Sequence, residues 1–243
     1  MIRMSLRNEL KASGNWLFRY RSYLPIILFP YLIYFKEREI PSDLHFIFLS
    51  TGIIISYFGE LIRIITIAFV PPLTSGRNTK RQYASSLNTT GIYSTVRHPL
   101  YLGNYFILLG PCIYTGNIYA NIIFTLIFWI YYERIMFAEE EYLREKFDDK
   151  YIQWAAMVPA FIPSFKKYIS PKGSFSLIQI LEREYTGICG IICMFMILII
   201  SCNIIENVEE WIPDSWKILI IINGLLYISL RTVKKNKRKT QKR

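Results

Sequence analysis

The sequence predicts an all-α protein, built as a polytopic membrane helix bundle of about six transmembrane helices with an interfacial helix on the cytosolic side. Two observations support that prediction. Uncharged apolar stretches recur along the 243 residues, and several approach the roughly 20 residues that one membrane crossing needs. The segments between them alternate between strongly basic and neutral or acidic composition, which is typical of loops on opposite sides of a membrane.

The six predicted spans follow from these uncharged runs and the turn signals inside them. The run 185–205 contains no charged residue and matches one crossing. The run 99–132 is also uncharged but too long for one helix, and Gly116-Asn117 near its middle predicts a turn between two spans. The predicted spans are 23–35, 44–62, the two halves of 99–132, 185–205 and 218–230.

The distribution of Lys and Arg predicts the side on which each loop lies. Residues 1–21, 71–98 and 231–243 are strongly basic, whereas 203–215 carries acidic residues and no basic one. Six crossings put every basic segment on one side, and the positive-inside rule places that side, with both termini, in the cytosol. The basic tail is then expected to face anionic lipids rather than nucleic acid.

Three regions are expected along the chain. They are an N-terminal two-span region at 1–77, a core at 78–168 and a C-terminal two-span region with the basic tail at 169–243. The four cysteines lie in or beside apolar runs, with too few Cys or His neighbours for a structural zinc site. No metal site is therefore expected.

The first polar motif lies just before the third predicted span and reads T-G-I-Y-S-T-V-R-H-P-L-Y-L-G over residues 90–103. Pro99 disfavours helical geometry at His98 and suits the first turn of a helix, so the span is expected to begin at Pro99. The start of a helix presents free N–H groups and a partial positive charge. The motif therefore predicts a seat for a carboxylate or phosphate, with His98 and Tyr101 beside it.

The second polar motif, E-R-I-M-F-A-E-E-E-Y-L over residues 133–143, follows the fourth predicted span. Beyond its glutamates, Leu143, Phe147, Tyr151 and Trp154 recur at helical spacing among charged residues. This pattern predicts an amphipathic helix that lies on the cytosolic membrane surface.

A third polar feature is the pair of Glu60 and Arg63, three residues apart at the cytosolic end of the second predicted span. That spacing puts both side chains on one helix face. Two interpretations stay open, because the pair can join two helices or can line the same cavity as the other motifs.

The first two motifs together resemble the isoprenylcysteine carboxyl methyltransferase and phospholipid methyltransferase superfamily of membrane enzymes. The pattern G-x-Y-x-x-x-R-H-P-x-Y-x-G is met over 91–103, E-E-x-x-L-x-x-x-F-x-x-x-Y over 139–151, and V-P-x-x-I-P over 158–163. The resemblance covers about residues 78–165. It implies a cytosol-facing pocket that binds S-adenosylmethionine and methylates a carboxylate or amine of a lipid or lipidated acceptor.

The resemblance also implies the roles of individual residues. Arg134 and Glu140 are expected to be catalytic. The family's substrate arginine, four residues before the first glutamate, is Ile135 here. A histidine usual in the cofactor loop is Ser85, and the family's glycine after Phe147 is Asp148, a change expected to be neutral. The cofactor-binding residues that the resemblance implies are Leu87, Asn88, Tyr93, Arg97, His98, Pro99, Tyr101, Gly103 and Glu139.

Two other function classes stay open. An NADPH-dependent membrane sterol-type reductase also carries an R-H-P-x-Y stretch, although the glutamates at 139–141 would repel a 2′-phosphate. A non-enzymatic membrane scaffold or transporter is the second alternative, but transport sites usually lie near the midplane between repeated halves. The expected partners are the lipid bilayer and an amphiphilic or lipid-like substrate, with no nucleic acid, and the sequence leaves the oligomeric state open.

Overall fold

Helices form the regular structure of the computed structural model, which describes residues 5–71, 82–209, 211–212 and 214–240. No strand occurs within those ranges, so the predicted all-α class is confirmed. Two 3₁₀ turns occupy Arg21–Tyr23 and Gly91–Ser94. The α-helices are α1 Leu6–Tyr20, α2 Leu24–Phe35, α3 Ser42–Ala68, α4 Pro99–Tyr114, α5 Ile118–Phe147, α6 Asp149–Met157, α7 Leu177–Ile205 and α8 Asp214–Thr240.

Four of these helices, α3, α5, α7 and α8, are long and apolar enough to cross a membrane. The chain is therefore an integral, multi-pass membrane protein. The helices at two other predicted spans are shorter, with 12 residues in α2 and 16 in α4, whereas a straight crossing needs about 20. The predicted number of six spans is not confirmed.

The basic N-terminal segment is helical, and it continues towards the first predicted span. α1 and α2, joined by the 3₁₀ turn, lie antiparallel along α5. The hydroxyl of Tyr131 donates to the Leu17 carbonyl at 3.0 Å, and the hydroxyl of Tyr31 donates to the Ala120 carbonyl. α1 thus packs along α5, and α2 continues from it and reaches the beginning of α5 through the hydroxyl of Tyr31.

Close contact between α3 and α4 depends on small residues. A Cβ atom at Gly59 would stand 2.5 Å from the carbonyl oxygen of Gly103, and one at Gly52 would stand 2.5 Å from that of Gly110. Ser56, between the two glycines of α3, donates a hydrogen bond to a backbone carbonyl of α4 at 2.9 Å. Small residues three and four apart are a common means of helix association in membranes, because they let the backbones approach and bond.

The predicted turn at Gly116-Asn117 is confirmed. Gly116 has a φ of 74°, in the left-handed region that favours glycine. The side chain of Asn117 caps α5 by accepting from the backbone N–H groups of Tyr119 at 2.9 Å and Ala120 at 3.2 Å. α4 and α5 therefore form a helical hairpin whose open end carries both polar motifs.

The predicted amphipathic helix is divided in two at Asp148. α5 continues to Phe147, and Asp148 adopts a φ of 45° and a ψ of −124° before α6 begins. Tyr151 and Trp154 are only 1% and 6% exposed and pack against the side chain of Leu87, among others. The apolar side of α6 is thus covered by protein. The periodicity could not show this division, because no Gly or Pro marks it.

The backbone at Asp148 means that the change from the family's glycine is not neutral. Asp148→Gly is expected to stabilise the fold by about 1 kcal/mol, because a φ of 45° is strained for a residue with a Cβ atom and the aspartate side chain makes no capping bond to α6. The unfolding midpoint in detergent measures this effect. The matched control Asp149→Gly, in the first turn of α6, is expected to destabilise by about 1 kcal/mol. A lower midpoint for Asp148→Gly would contradict the prediction.

Candidate active site

A cavity of about 410 Å³ opens at the end of the bundle where α4 begins. Its wall includes residues from six helices and from the segment 82–93. The two polar motifs, which are separate in sequence, therefore meet at one site. The predicted cofactor-binding residues that line the cavity are Leu87, Asn88, Tyr93, Arg97, His98, Pro99, Tyr101 and Glu139.

His98 lies immediately before α4, as the motif predicts. Its φ of −120° and ψ of 59° are not helical, and the helix begins at Pro99, in agreement with the restriction that proline places on the preceding residue. The buried imidazole has its Nε2 atom 2.9 Å from Oε1 of Glu140 and its Nδ1 atom 3.8 Å from Oε2 of Glu139. The ring also stacks on Tyr101 with 5.6 Å between centroids, so its position is fixed on three sides.

Glu139 is the member of the glutamate pair that faces the cavity. The hydroxyl of Tyr101 donates to its Oε2 atom at 2.8 Å, and the carboxylate side chain keeps 32% of its surface exposed. Glu140 is rotated by about 100° around the helix and contacts the far side of His98. The two consecutive carboxylates therefore have different surroundings, one open to a ligand and one directed at the histidine.

A network behind the wall holds the backbone at His98 in place. The Nε atom of Arg97 forms an ion pair with Oε1 of Glu140 at 3.0 Å. The backbone N–H groups of Arg97 and His98 donate to the carbonyls of Pro159 at 2.9 Å and Ala160 at 3.2 Å. The V-P-x-x-I-P ending thus lies across the first motif and fixes its backbone.

A side chain of α6 holds the backbone at Tyr93 in place. The indole Nε1 of Trp154 donates to the Tyr93 carbonyl at 3.1 Å. Burial raises the pKa of the Tyr93 hydroxyl, and the charge of Glu139 raises it further. The hydroxyl therefore stays protonated near neutral pH and can act as a hydrogen-bond donor.

In the part of the chain that the structure describes, two residues predicted for the site lie behind the cavity wall and do not line it. Gly103 is at the α3–α4 crossing, where a Cβ atom would stand 2.5 Å from Cγ of Arg63. At that crossing Gly103 serves helix packing. Glu140, predicted to be catalytic, contacts Arg97 and His98, which gives it a positioning role.

Arg134, the other residue predicted to be catalytic, also lies away from the cavity. It faces α1, where its Nη1 atom donates to the hydroxyl oxygen of Ser13 at 3.3 Å. The neighbouring Ile135, at the position of the family's substrate arginine, is fully buried in the apolar core. Neither position on α5 therefore brings a guanidinium to the cavity.

Several residues of the cavity wall were not assigned to the site from the sequence. Both interpretations of the α3 pair hold for Arg63, which lines the cavity and also pairs with Glu184 of α7. Glu60 is buried, with its Oε2 atom 3.7 Å from Nε of Arg63. Charged residues at the start of an otherwise apolar span are the signal that would have indicated Glu184. The unassigned residues of the wall include Arg21, Arg63, Asn104, Arg183 and Glu184.

Comparison with known proteins confirms the resemblance inferred from the motifs. The family described as phospholipid methyltransferase matches residues 50–150, a region that begins in α3. Protein-S-isoprenylcysteine O-methyltransferase of Schizosaccharomyces pombe is 38% identical over 84 residues, which is 35% of this chain and 36% of that protein. Protein-S-isoprenylcysteine O-methyltransferase B of Arabidopsis thaliana is 30% identical over 119 residues, 46% of this chain and 57% of that protein.

The matched regions thus span about a third to somewhat over half of the length of these relatives. Among solved structures, that of the eukaryotic intramembrane Ras methyltransferase, isoprenylcysteine carboxyl methyltransferase, aligns with a TM-score of 0.40 and 23% identity. The alignment covers 69% of this chain and 56% of that one.

Glu140→Gln is expected to lower the free energy of unfolding by about 2 kcal/mol. Because the amide is neutral, the ion pair with Arg97 is lost and the hydrogen bond to His98 is weakened. The side chains of Arg97 and His98 are only 18% and 4% exposed. The unfolding midpoint in detergent is the measurement. Glu145→Gln, the same change on the same helix, removes only an exposed ion pair with Lys11 and is expected to cost at most about 0.5 kcal/mol. Equal effects of both changes would contradict the positioning role.

Proposed function

We propose that this chain, whose residues 50–150 match the family described as phospholipid methyltransferase, is a membrane-embedded methyltransferase. It transfers a methyl group from S-adenosylmethionine to a lipid or lipidated acceptor. The observation that carries the proposal is the meeting of Glu139, Tyr101 and His98 in one wall of the cavity. These residues come from the two motifs on which the resemblance rests.

The residues of the wall suit the groups that S-adenosylmethionine carries. The Glu139 carboxylate, whose hydrogen-bond donor is the neutral hydroxyl of Tyr101, offers negative charge to a sulfonium or ammonium cation. The start of α4 offers the partial positive charge of the helix dipole to a carboxylate. The rings of Tyr93 and Tyr101 offer surfaces to a purine. The cavity volume of about 410 Å³ is within the range of about 300–1,000 Å³ for small-molecule sites.

When bound, S-adenosylmethionine supplies a methyl group on a sulfonium sulfur, and the sulfur keeps the bonding electrons when the methyl leaves. The work of the chain is to align two reactants and to exclude water, which suits an in-line displacement at carbon. An ionised carboxylate acceptor needs no general base. An amine acceptor has to lose a proton to a base, such as a carboxylate of the wall.

The cytosolic placement of the cavity is part of the proposal. The basic residues of α1 and of the last turns of α8 favour the cytosolic side. Ion pairs of Arg7 with Glu141 and of Lys11 with Glu145 join α1 to the end of α5 that carries Glu139. A pocket at that end would open to the compartment in which S-adenosylmethionine is made.

Glu139→Gln is expected to weaken binding of S-adenosylhomocysteine by about tenfold or more, because a neutral amide attracts the ammonium group less than a carboxylate does. Calorimetry on detergent-purified protein measures the affinity, with NADPH as a parallel ligand. The control Glu145→Gln lies on the same helix outside the cavity and is expected to bind like the unaltered protein.

The possible outcomes separate the function classes. Unchanged affinity in both Glu139→Gln and His98→Ala would remove these residues from the cofactor site. Binding of NADPH without binding of S-adenosylhomocysteine would replace the methyltransferase by a reductase. Binding of neither ligand to the unaltered protein would favour a non-enzymatic scaffold.

A further inference from the structure

A second group of polar side chains lies deeper in the bundle than His98 and Glu139, and we call it the inner layer. Its members come from four different helices and are joined by hydrogen bonds. Three of them line the cavity, and the fourth lies directly behind. The inner layer is Arg63 of α3, Asn104 of α4, Tyr132 of α5 and Glu184 of α7.

The depth of the inner layer follows from helix geometry. Asn104 is five residues beyond Pro99, the first residue of α4, which is about 7.5 Å along the helix axis. Tyr132 precedes Glu139 by seven residues on α5, which is about 10 Å. Both helices therefore place the inner layer further from the open end of the hairpin, towards the apolar middle of the bundle.

The guanidinium of Arg63 is the centre of this layer. Its Nε atom donates to Oε2 of Glu184 at 3.0 Å, and its Nη2 atom donates to both carboxylate oxygens at 3.0 and 2.8 Å. Its Nη1 atom donates to Oδ1 of Asn104 at 2.6 Å, and the amide of Asn104 donates to the hydroxyl of Tyr132 at 3.3 Å. Residues from α4 and α7 thus hold the guanidinium of Arg63 in a single orientation.

Charges at this depth are costly, so their presence calls for an explanation. Glu184 and Glu60 are each 1% exposed, whereas the Arg63 side chain keeps 20% of its surface accessible. Buried ion pairs gain little over well-packed apolar residues, and ionisable groups within membrane helices usually mark a functional site. A purely structural pair would not need its cation to face a cavity.

Arg63 also retains capacity to bind a ligand. A guanidinium has five N–H donors, and four hydrogen bonds connect it to the residues that the structure describes. At least one N–H donor therefore lies outside these four hydrogen bonds, and the Arg63 side chain lines the cavity. A fixed, charged donor of this kind suits an anionic oxygen.

We propose that the inner layer receives the polar end of the acceptor, with Arg63 donating to an anionic oxygen and with Glu184 and Asn104 as positioning residues. The assignment rests on the proposed function, in which the outer wall at Glu139 takes the methyl donor. An acceptor with an apolar tail would lie among the spans, and its polar end would meet the deeper part of the cavity first. The inner layer is the polar surface at that depth.

The test compares an acid with its ester. S-farnesylcysteine and its methyl ester share the apolar chain, but only the acid carries an anionic oxygen. Arg63→Lys is expected to weaken binding of the acid by about tenfold or more. Lysine keeps the positive charge but cannot reproduce the planar set of N–H donors of the guanidinium. Binding of the ester and of S-adenosylhomocysteine is expected to change by less than about threefold.

Two further variants make the test specific. Glu184→Asp keeps the buried charge but shortens the side chain that holds Arg63, and it is expected to weaken binding of the acid selectively as well. Arg144→Lys is the matched control, because this arginine is half exposed and lies outside the cavity. Thermal unfolding in detergent checks that each variant is folded before calorimetry.

Several results would overturn the proposal. These are equal losses for acid and ester, a loss of S-adenosylhomocysteine binding as large as that of the acid, no change in Arg63→Lys, or unaltered protein that does not prefer the acid over the ester. The proposed function fails separately. If the unaltered protein bound the acid through Arg63 but no S-adenosylhomocysteine, the inner layer would stand and the methyltransferase would not.

Discussion

The crossing of α3 and α4 on facing glycines is the constraint on which the rest of the site depends. A Cβ atom at Gly59 or Gly103 would stand within 2.8 Å of the opposing backbone, so any larger residue would push the helices apart. The same close approach lays the stem of Arg63 over Gly103 and brings its guanidinium to Asn104. Helix spacing, rather than the charge pattern of either helix alone, decides where the cation lies.

The carboxylates around the cavity differ in how far their charge is compensated. Glu140 faces Arg97 and His98, and Glu184 accepts three hydrogen bonds from Arg63. Glu139 has a neutral hydroxyl as its hydrogen-bond donor and the imidazole at 3.8 Å. Because attraction between opposite charges strengthens in a low-dielectric cavity, Glu139 is the carboxylate best placed to attract a cationic ligand.

The sequence predicted the features that local chemistry determines. The start of α4 at Pro99 and the turn at Gly116 each depend on the φ preference of one residue type, and the apolar spans follow from hydropathy. It could not predict that Glu184 contacts Arg63, 121 residues away, because no local pattern encodes that pairing. It also could not separate the roles of Glu139 and Glu140. Their side chains point about 100° apart around α5, and which of them faces the cavity depends on how α5 packs against the other helices. The division of the surface helix at Asp148 was missed for a related reason, because an aspartate is not a typical residue for its backbone conformation.

The proposed donor side of the cavity lies within the family match, whereas the proposed acceptor side extends beyond it. Residues 50–150 include Glu139 and His98, which form the proposed donor side, and also include Arg63. Glu184 lies on α7, outside that region, yet it holds the guanidinium of Arg63 in place. An arginine without such a partner would keep its charge but lose its fixed orientation, and a bidentate contact contributes through orientation as much as through charge. Changes in α7 can therefore alter the proposed acceptor side while the proposed donor side stays intact. The proposed acceptor side therefore combines Arg63 from the matched region with Glu184 from α7 outside it, whereas His98 and Glu139 of the proposed donor side both lie within that region.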